Sequence, residues 1–328
     1  TSFAQEKKML TAVDASYNNR DIYPKGKSYK WLADTDKYVF SEDGVLMVQA
    51  PGAKSANPLL NIDQVNVMAK NGEYEEFKRI PNITWTDENV GYFYKAEGES
   101  SISLNSLSLT AKAMKRITTI PIEAENHTIT EKTMRVAYTI GNDLYVADGD
   151  RQLRLTDNPE HVIAGQSVHR NEFAIDGGIF WSPDGNRLAY YSMDESMVTD
   201  YPLVDITSRV AENTPIKYPM AGMTSHVVKL HVYDIATGTD IVMKTGEPAD
   251  HYLTAITWNN DNQHIYIGEL NRGQNSLDFN EYDALTGEFN KTIFHDEDEQ
   301  YVEPVGPAHF LPGSTTEFVW LAQRDGYY

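Results

Sequence analysis

Three ionisable side chains of different kinds, His169, Arg170 and Glu172, fall within four positions of the stretch Ser167-Val-His-Arg-Asn-Glu-Phe173. A carboxylate held at such a place can anchor a cation. An imidazole works as an acyl-transfer base only with a nucleophile in hydrogen-bond reach, and none neighbours His169 in sequence. His169 therefore reads as an orienting or structural ring. By residue type alone, Glu172 beside Arg170 reads as a surface ion pair worth ~0–1 kcal/mol. The acidic run His295-Asp-Glu-Asp-Glu299 lacks the glycine and spaced oxygen ligands of a cation loop, so it reads as a solvated turn. The chain has no cysteine, which excludes thiolate nucleophiles, disulfides and Cys-based zinc sites. No metal and no cofactor are expected.

The elements that must position this cluster announce themselves by repetition. Directly after it come Trp181-Ser-Pro-Asp-Gly185 and the strand-like Arg187-Leu-Ala-Tyr-Tyr191. The same pattern, a polar turn leading into a β-branched or aromatic strand, recurs at Thr35–Phe40, Asp87–Tyr94, Glu131–Tyr138, Pro183–Tyr190, Asn260–Ile267 and Pro312–Trp320. Trp31, Trp85, Trp181, Trp258 and Phe310 stand just ahead of five of these. The spacing of about 45–75 residues exceeds a compact blade repeat of ~40–50, so insertions are expected. Second alternating segments such as Val228–Tyr233 and Asp278–Tyr282 end in the turn signals Asp234-Ile-Ala-Thr-Gly238 and Asp283-Ala-Leu-Thr-Gly287. Three or four antiparallel strands per unit, repeated, predict an all-β fold. A β-propeller is the architecture that leaves only short protected edges.

Two segments depart from the rhythm. Residues 61–72 carry an Asn N-cap, apolar residues at 62, 65, 68 and 69 and a glycine stop, which predicts one short helix on the outside of an early blade. The interruption from Met193 to Thr224, with Tyr201-Pro and Tyr218-Pro inside it, is too long for a passive hairpin loop. Exposed aromatics on such an arm mark an interface.

With 28 Lys and Arg against 48 Asp and Glu, the chain has a formal charge of -20. Nucleic acid and anionic membrane surfaces would be repelled. Thr1-Ser-Phe-Ala-Gln5 looks like the tail of a bacterial secretory signal, so export to a periplasmic or outer-surface location is expected. Residues 1–18 read as that remnant and a lead-in, and residues 19–328 as the propeller portion. The sixth copy of the repeat stops at Tyr328, where a further strand is due, so a longer parent is expected.

The order of motifs resembles the amino-terminal propeller of the dipeptidyl peptidase IV family within the prolyl oligopeptidase clan, and within it the bacterial dipeptidyl and prolyl tripeptidyl peptidases. The stretches that carry the resemblance are Asn19–Pro24, Ser167–Phe173, Phe180–Gly185, Tyr218-Pro-Met-Ala-Gly222, Thr245-Gly-Glu-Pro248, Leu270-Asn-Arg-Gly-Gln-Asn275, Tyr301-Val-Glu-Pro304 and Arg324-Asp-Gly326. The resemblance implies an eight-bladed propeller, of which five to six four-stranded blades are present, capping a carboxy-terminal α/β-hydrolase domain. The Ser, Asp and His of that hydrolase are expected beyond Tyr328. No Gly-x-Ser-x-Gly elbow occurs in the chain, which should be inactive alone. By the same resemblance Glu172 binds the substrate's α-ammonium, with Asn171 and Arg170 as flanking candidates, and Tyr301 and Glu303 line the rim of the pocket. Relatives with two adjacent glutamates differ from Asn171-Glu172 here, so release of X-Pro dipeptides or X-X-Pro tripeptides stays open. The second-blade arginine of dipeptidyl relatives has no counterpart, since Tyr92–Ser100 offers only Lys95. The implied partners are a peptide with a free amino terminus, the hydrolase domain, and a second copy bound through the 193–224 arm. The alternative is a non-enzymatic propeller that binds ligands or acts as a sensor.

Overall fold

The computed structural model describes residues 11–14, 26–33 and 35–324. The leader-like Thr1–Gln5, the Asn19–Pro24 motif and the Asp-Gly of the last motif lie outside them. The strands gather into antiparallel sheets in which chain neighbours pair. The first sheet is Lys30–Trp31, Tyr38–Glu42, Val45–Gln49 and Asn57–Leu60. The second is Thr84–Trp85, Val90–Glu97, Ser101–Ser108 and Ala113–Pro121. The third is Glu125–Thr130, Arg135–Ile140, Asp143–Asp148 and Arg151–Arg154. The fourth holds Val162–Ala164, Ile179–Trp181, Arg187–Asp194, Val227–Asp234 and Asp240–Val242. The fifth is Tyr252–Trp258, His264–Leu270, Ser276–Asp283 and Phe289–Glu297. A ladder of His309–Phe310 with Phe318–Val319 begins a sixth. These are propeller blades, and the fold is all-β as the repeat predicts.

Burial follows the logic of a blade. Every residue of Tyr252–Trp258 is buried, whereas the last strand of the same sheet, Phe289–Glu297, is largely exposed. Trp31, Trp85, Trp258 and Phe310 each close the first strand of their sheets, and Trp181 closes Ile179–Trp181, which pairs with the same strand as Val162–Ala164. Two of the indoles also show why a Trp recurs there. Trp181 Nε1 donates to the Thr128 carbonyl of the third sheet at 3.2 Å, and Trp258 Nε1 to the Phe180 carbonyl of the fourth at 3.0 Å. The residue that ends the strand thus ties it to the blade before.

The chain divides into two compact units, residues 1–94 with 105–115 and residues 95–104 with 116–328. In the first, the predicted helix spans Ile62–Asn71 with Asn61 as N-cap and a reciprocal bond from Gln64. Its Val65, Met68 and Ala69 share a core with Leu32, Leu60, Trp85 and Phe93, so one face of the helix forms core rather than resting on a finished blade. Gly72 ends it for a reason other than a left-handed turn: its φ is -96°, and a Cβ there would lie 2.4 Å from the Met114 carbonyl oxygen. In the second unit, Val168, Ile175, Tyr191, Leu230, Leu253 and Ile267 belong to one buried cluster that joins the fourth and fifth sheets.

Candidate functional site: a pinched excursion from the fourth sheet

The Glu172 segment is not a loop between strands but an excursion out of one. Ala164 pairs with Ser192 and Ile179 with Tyr190, so both pieces lie along the same strand, Arg187–Asp194. Tyr191, between them, closes the gap: its carbonyl accepts from Gly165 N–H at 2.8 Å and its N–H donates to the Gly178 carbonyl at 3.0 Å. The two ends of the excursion approach so closely that a Cβ on Gly178 would lie 2.1 Å from the Gln166 carbonyl oxygen. Only glycine allows that pinch.

At the tip the backbone is strained. His169, Arg170 and Asn171 have φ of 51°, 59° and 60°, and Phe173 and Ala174 have 57° and 58°. Left-handed geometry costs non-glycine residues roughly 1–2 kcal/mol each, so the surroundings must over-determine it. Glu172 alone returns to extended geometry, at φ -86° and ψ 170°. It is exposed, and among the described residues its carboxylate has no hydrogen-bond or ion-pair partner. The ion pair with Arg170 does not form, because the Arg170 guanidinium donates to the Lys217 carbonyl at 3.0 Å and lies 4.5 Å above the Tyr218 ring. Asn171, also exposed, donates its backbone N–H to the Val168 carbonyl.

What holds the tip is buried beneath it. Val168 and Ile175 enter the core on either side. The Phe173 ring packs 4.4 Å from that of Tyr252, and its carbonyl accepts from Thr254 Oγ1 at 2.5 Å. His169 is 6% exposed; its Nδ1 shares a 2.9 Å hydrogen bond with His226 Nε2, and its ring meets Tyr252 edge to face. Burial, with His226, Arg272 and His251 adding repulsion, pushes His169 down to about 3. Burial, then Arg272 and Arg170, pushes His226 down to about 4. Both rings are neutral at physiological pH, and one donates to the other. His169 is thus the structural imidazole its sequence context predicts.

Tyr301 and Glu303 are both exposed and line a cavity of about 480 Å³ with Asp296, Glu297, Trp320 and Arg324. Val302, between them, packs on the same small cluster of Tyr252, Leu270 and Leu277 that takes Phe173. The Glu172 excursion and the Tyr301–Glu303 segment are therefore neighbours at one end of the fifth sheet. Lys95 is committed to Glu97 at 3.1 Å. His226, Tyr252, Thr254 and Lys217 escaped notice in the sequence because no local motif marks them. Arg272, within the quoted Leu270–Asn275 stretch, donates to the Tyr252 hydroxyl and stacks over its ring.

The arm is a β-hairpin of two nested ladders, Asp200–Tyr201 with Ile216–Lys217 and Val204–Asp205 with Glu212–Asn213. It leaves the fourth sheet after Asp194 and returns at Val227, with Val204, Ile206 and Val210 each more than 60% exposed.

Among proteins of known structure, a Bacteroides ovatus chain described as a dipeptidyl aminopeptidase IV superposes with a TM-score of 0.78 at 36% identity, over 93% of this chain and 43% of its own. Porphyromonas gingivalis dipeptidyl peptidase 4 shares the fold at a TM-score of 0.68 and 20% identity, over 92% of this chain and 44% of its own. Dipeptidyl peptidase 4 of Felis catus is 23% identical over 364 residues, covering 99% of this chain and 45% of that protein. The chain thus spans less than half the length of these relatives. Residues 89–328 match the family described as the dipeptidyl peptidase IV (DPP IV) N-terminal region. With matched sheets, motifs and profile, the chain belongs to the dipeptidyl peptidase IV N-terminal-region family.

Proposed function

We propose that this chain is the substrate-gating and amino-terminus-anchoring propeller of an exported serine exopeptidase that cleaves after proline. The observation that carries the reading is Glu172: an exposed carboxylate with no cation partner among the described residues, held on a strained turn of non-glycine residues. Such strain is retained where position matters for a ligand. A fixed carboxylate facing a substrate ammonium forms a charge-assisted hydrogen bond, and it also measures the distance from the amino terminus to the scissile bond. The covalent steps belong to a hydrolase domain elsewhere in the parent, which would supply the nucleophile, base and acid of an acyl-enzyme route. Tyr301 and Glu303 line the rim of the same pocket, and the exposed arm pairs two copies.

In the whole protein, Glu172→Gln should lower kcat/KM for free-amino X-Pro or X-X-Pro substrates by ~1.5–3 kcal/mol, the worth of a hydrogen bond to a charged group. An unchanged kcat/KM would reject the assignment. Comparing dipeptide with tripeptide anilides assigns the unit released. Failure of the folded protein to cleave either would favour a ligand-binding propeller.

A further inference from the structure

The turn that presents Glu172 is fastened from two directions. The fifth sheet holds it through Tyr252 and Thr254. The arm holds it through three contacts: the His226–His169 hydrogen bond at 2.9 Å, the Lys217 carbonyl that accepts from Arg170 at 3.0 Å, and the Tyr218 ring beneath the same guanidinium. Tyr218 is itself backed by Tyr201, with ring centroids 5.7 Å apart. Between turn and arm lies a cavity of about 170 Å³, bordered by His169, Arg170, Glu195, Lys217, Pro219 and His226. These contacts span a gap instead of belonging to a continuous packed wall.

Local bonds cannot account for the turn. Asn171 N–H to the Val168 carbonyl and Glu172 N–H to the His169 carbonyl close it at 3.1 Å each, but right-handed geometry would offer similar bonds without the Cβ penalty. What selects the left-handed form is what the side chains reach: His169 must go down to His226 and Arg170 across to Lys217. We propose that His226, Lys217 and Tyr218, at the root of the arm, are positioning residues that latch the 169–171 turn and so set where Glu172 stands. The latch rests on the anchoring role proposed above, and it makes the arm part of the recognition apparatus for the peptide amino terminus.

The test uses the whole protein with His226→Leu, His226→Gln and Arg170→Met, each in the wild-type and Glu172→Gln backgrounds. Two readouts are taken: amide hydrogen exchange across residues 168–175, and the ratio of kcat/KM for a free-amino peptide to that for its N-acetylated form. Exchange at the Asn171 and Glu172 amides should quicken in His226→Leu and Arg170→Met. The ratio should fall about tenfold, chiefly through KM, with His226→Gln restoring most of it and no further fall in the Glu172→Gln background. Unaltered exchange in both variants overturns the latch whatever Glu172→Gln does, as does an equal fall of the ratio in both backgrounds. Quickened exchange with an inert Glu172→Gln overturns the anchoring reading instead. Should His226→Leu fail to fold, Arg170→Met, at an exposed residue, carries the test.

Discussion

At the scale of single residues, neutral buried imidazoles and a free carboxylate divide the work of the site. His169 and His226 stay uncharged because burial penalises the cation, and Arg272, His251 and Arg170 add repulsion. This has a consequence for stability. In the unfolded chain these rings protonate near ~6.5, and in the folded protein only at about 3 and about 4. Between those limits the unfolded state binds more protons, so their contribution is complete above ~6.5 and is lost as pH falls towards 4. Each histidine held neutral costs up to about 1.4 kcal/mol per pH unit in that window. The depressed carboxylates, such as Asp184 and Asp234, act only below their ordinary range near 3.8. His295, raised by its hydrogen bond to Asp278, has the opposite sign but is exposed and screened by solvent, and Glu195 and Glu269, raised by burial, also gain stability as pH falls. The difference between wild type and His226→Gln isolates the pair: from pH 7.5 to 5 the wild-type urea midpoint should drop relative to that of His226→Gln. Parallel profiles of the two proteins over that range would contradict the buried neutral pair.

At the scale of elements, the site is a strand interrupted on purpose. The pinch at Gly165 and Gly178 lets the chain leave the fourth sheet opposite Ser192 and rejoin it opposite Tyr190, two residues along the partner strand. Gly178→Ala should destabilise the protein by about 1–3 kcal/mol, since the obstructing atom is the Gln166 backbone. Gly177→Ala, with nothing within 4 Å of its Cβ, should stay within about 0.5 kcal/mol and serves as control in the same denaturant titration. Equal effects at both positions would contradict the pinch. Much of the element level was legible in sequence: the Asn61 cap and the aromatic residues that end strands carry local chemical signals. The excursion was not. Two short segments pairing with one strand is a relation among residues 164, 179 and 191, and periodicity within any window reports none of them together. Glu172 itself was found by family resemblance, whereas its fastenings at His226, Tyr252 and Thr254 are up to about eighty positions away in sequence.

At the scale of the whole molecule, a propeller of repeated blades supplies rigid edges on which one short segment can be placed, and the charge of -20 favours approach of a cationic terminus. The repeat and its length bias towards insertions were readable from five aromatic residues. The position of the excursion beside the Tyr301–Glu303 segment required the structure, because Phe173 and Val302, far apart in sequence, meet on the Tyr252–Leu270–Leu277 cluster. The most direct test of the central claim is chromophore release from Gly-Pro and Ala-Ala-Pro anilides by the whole protein, each with a free and an acetylated amino terminus. The account predicts cleavage of one free-amino substrate and loss of most of that rate on acetylation, which removes the cation that Glu172 is proposed to bind. Equal rates for the free and acetylated forms would contradict it.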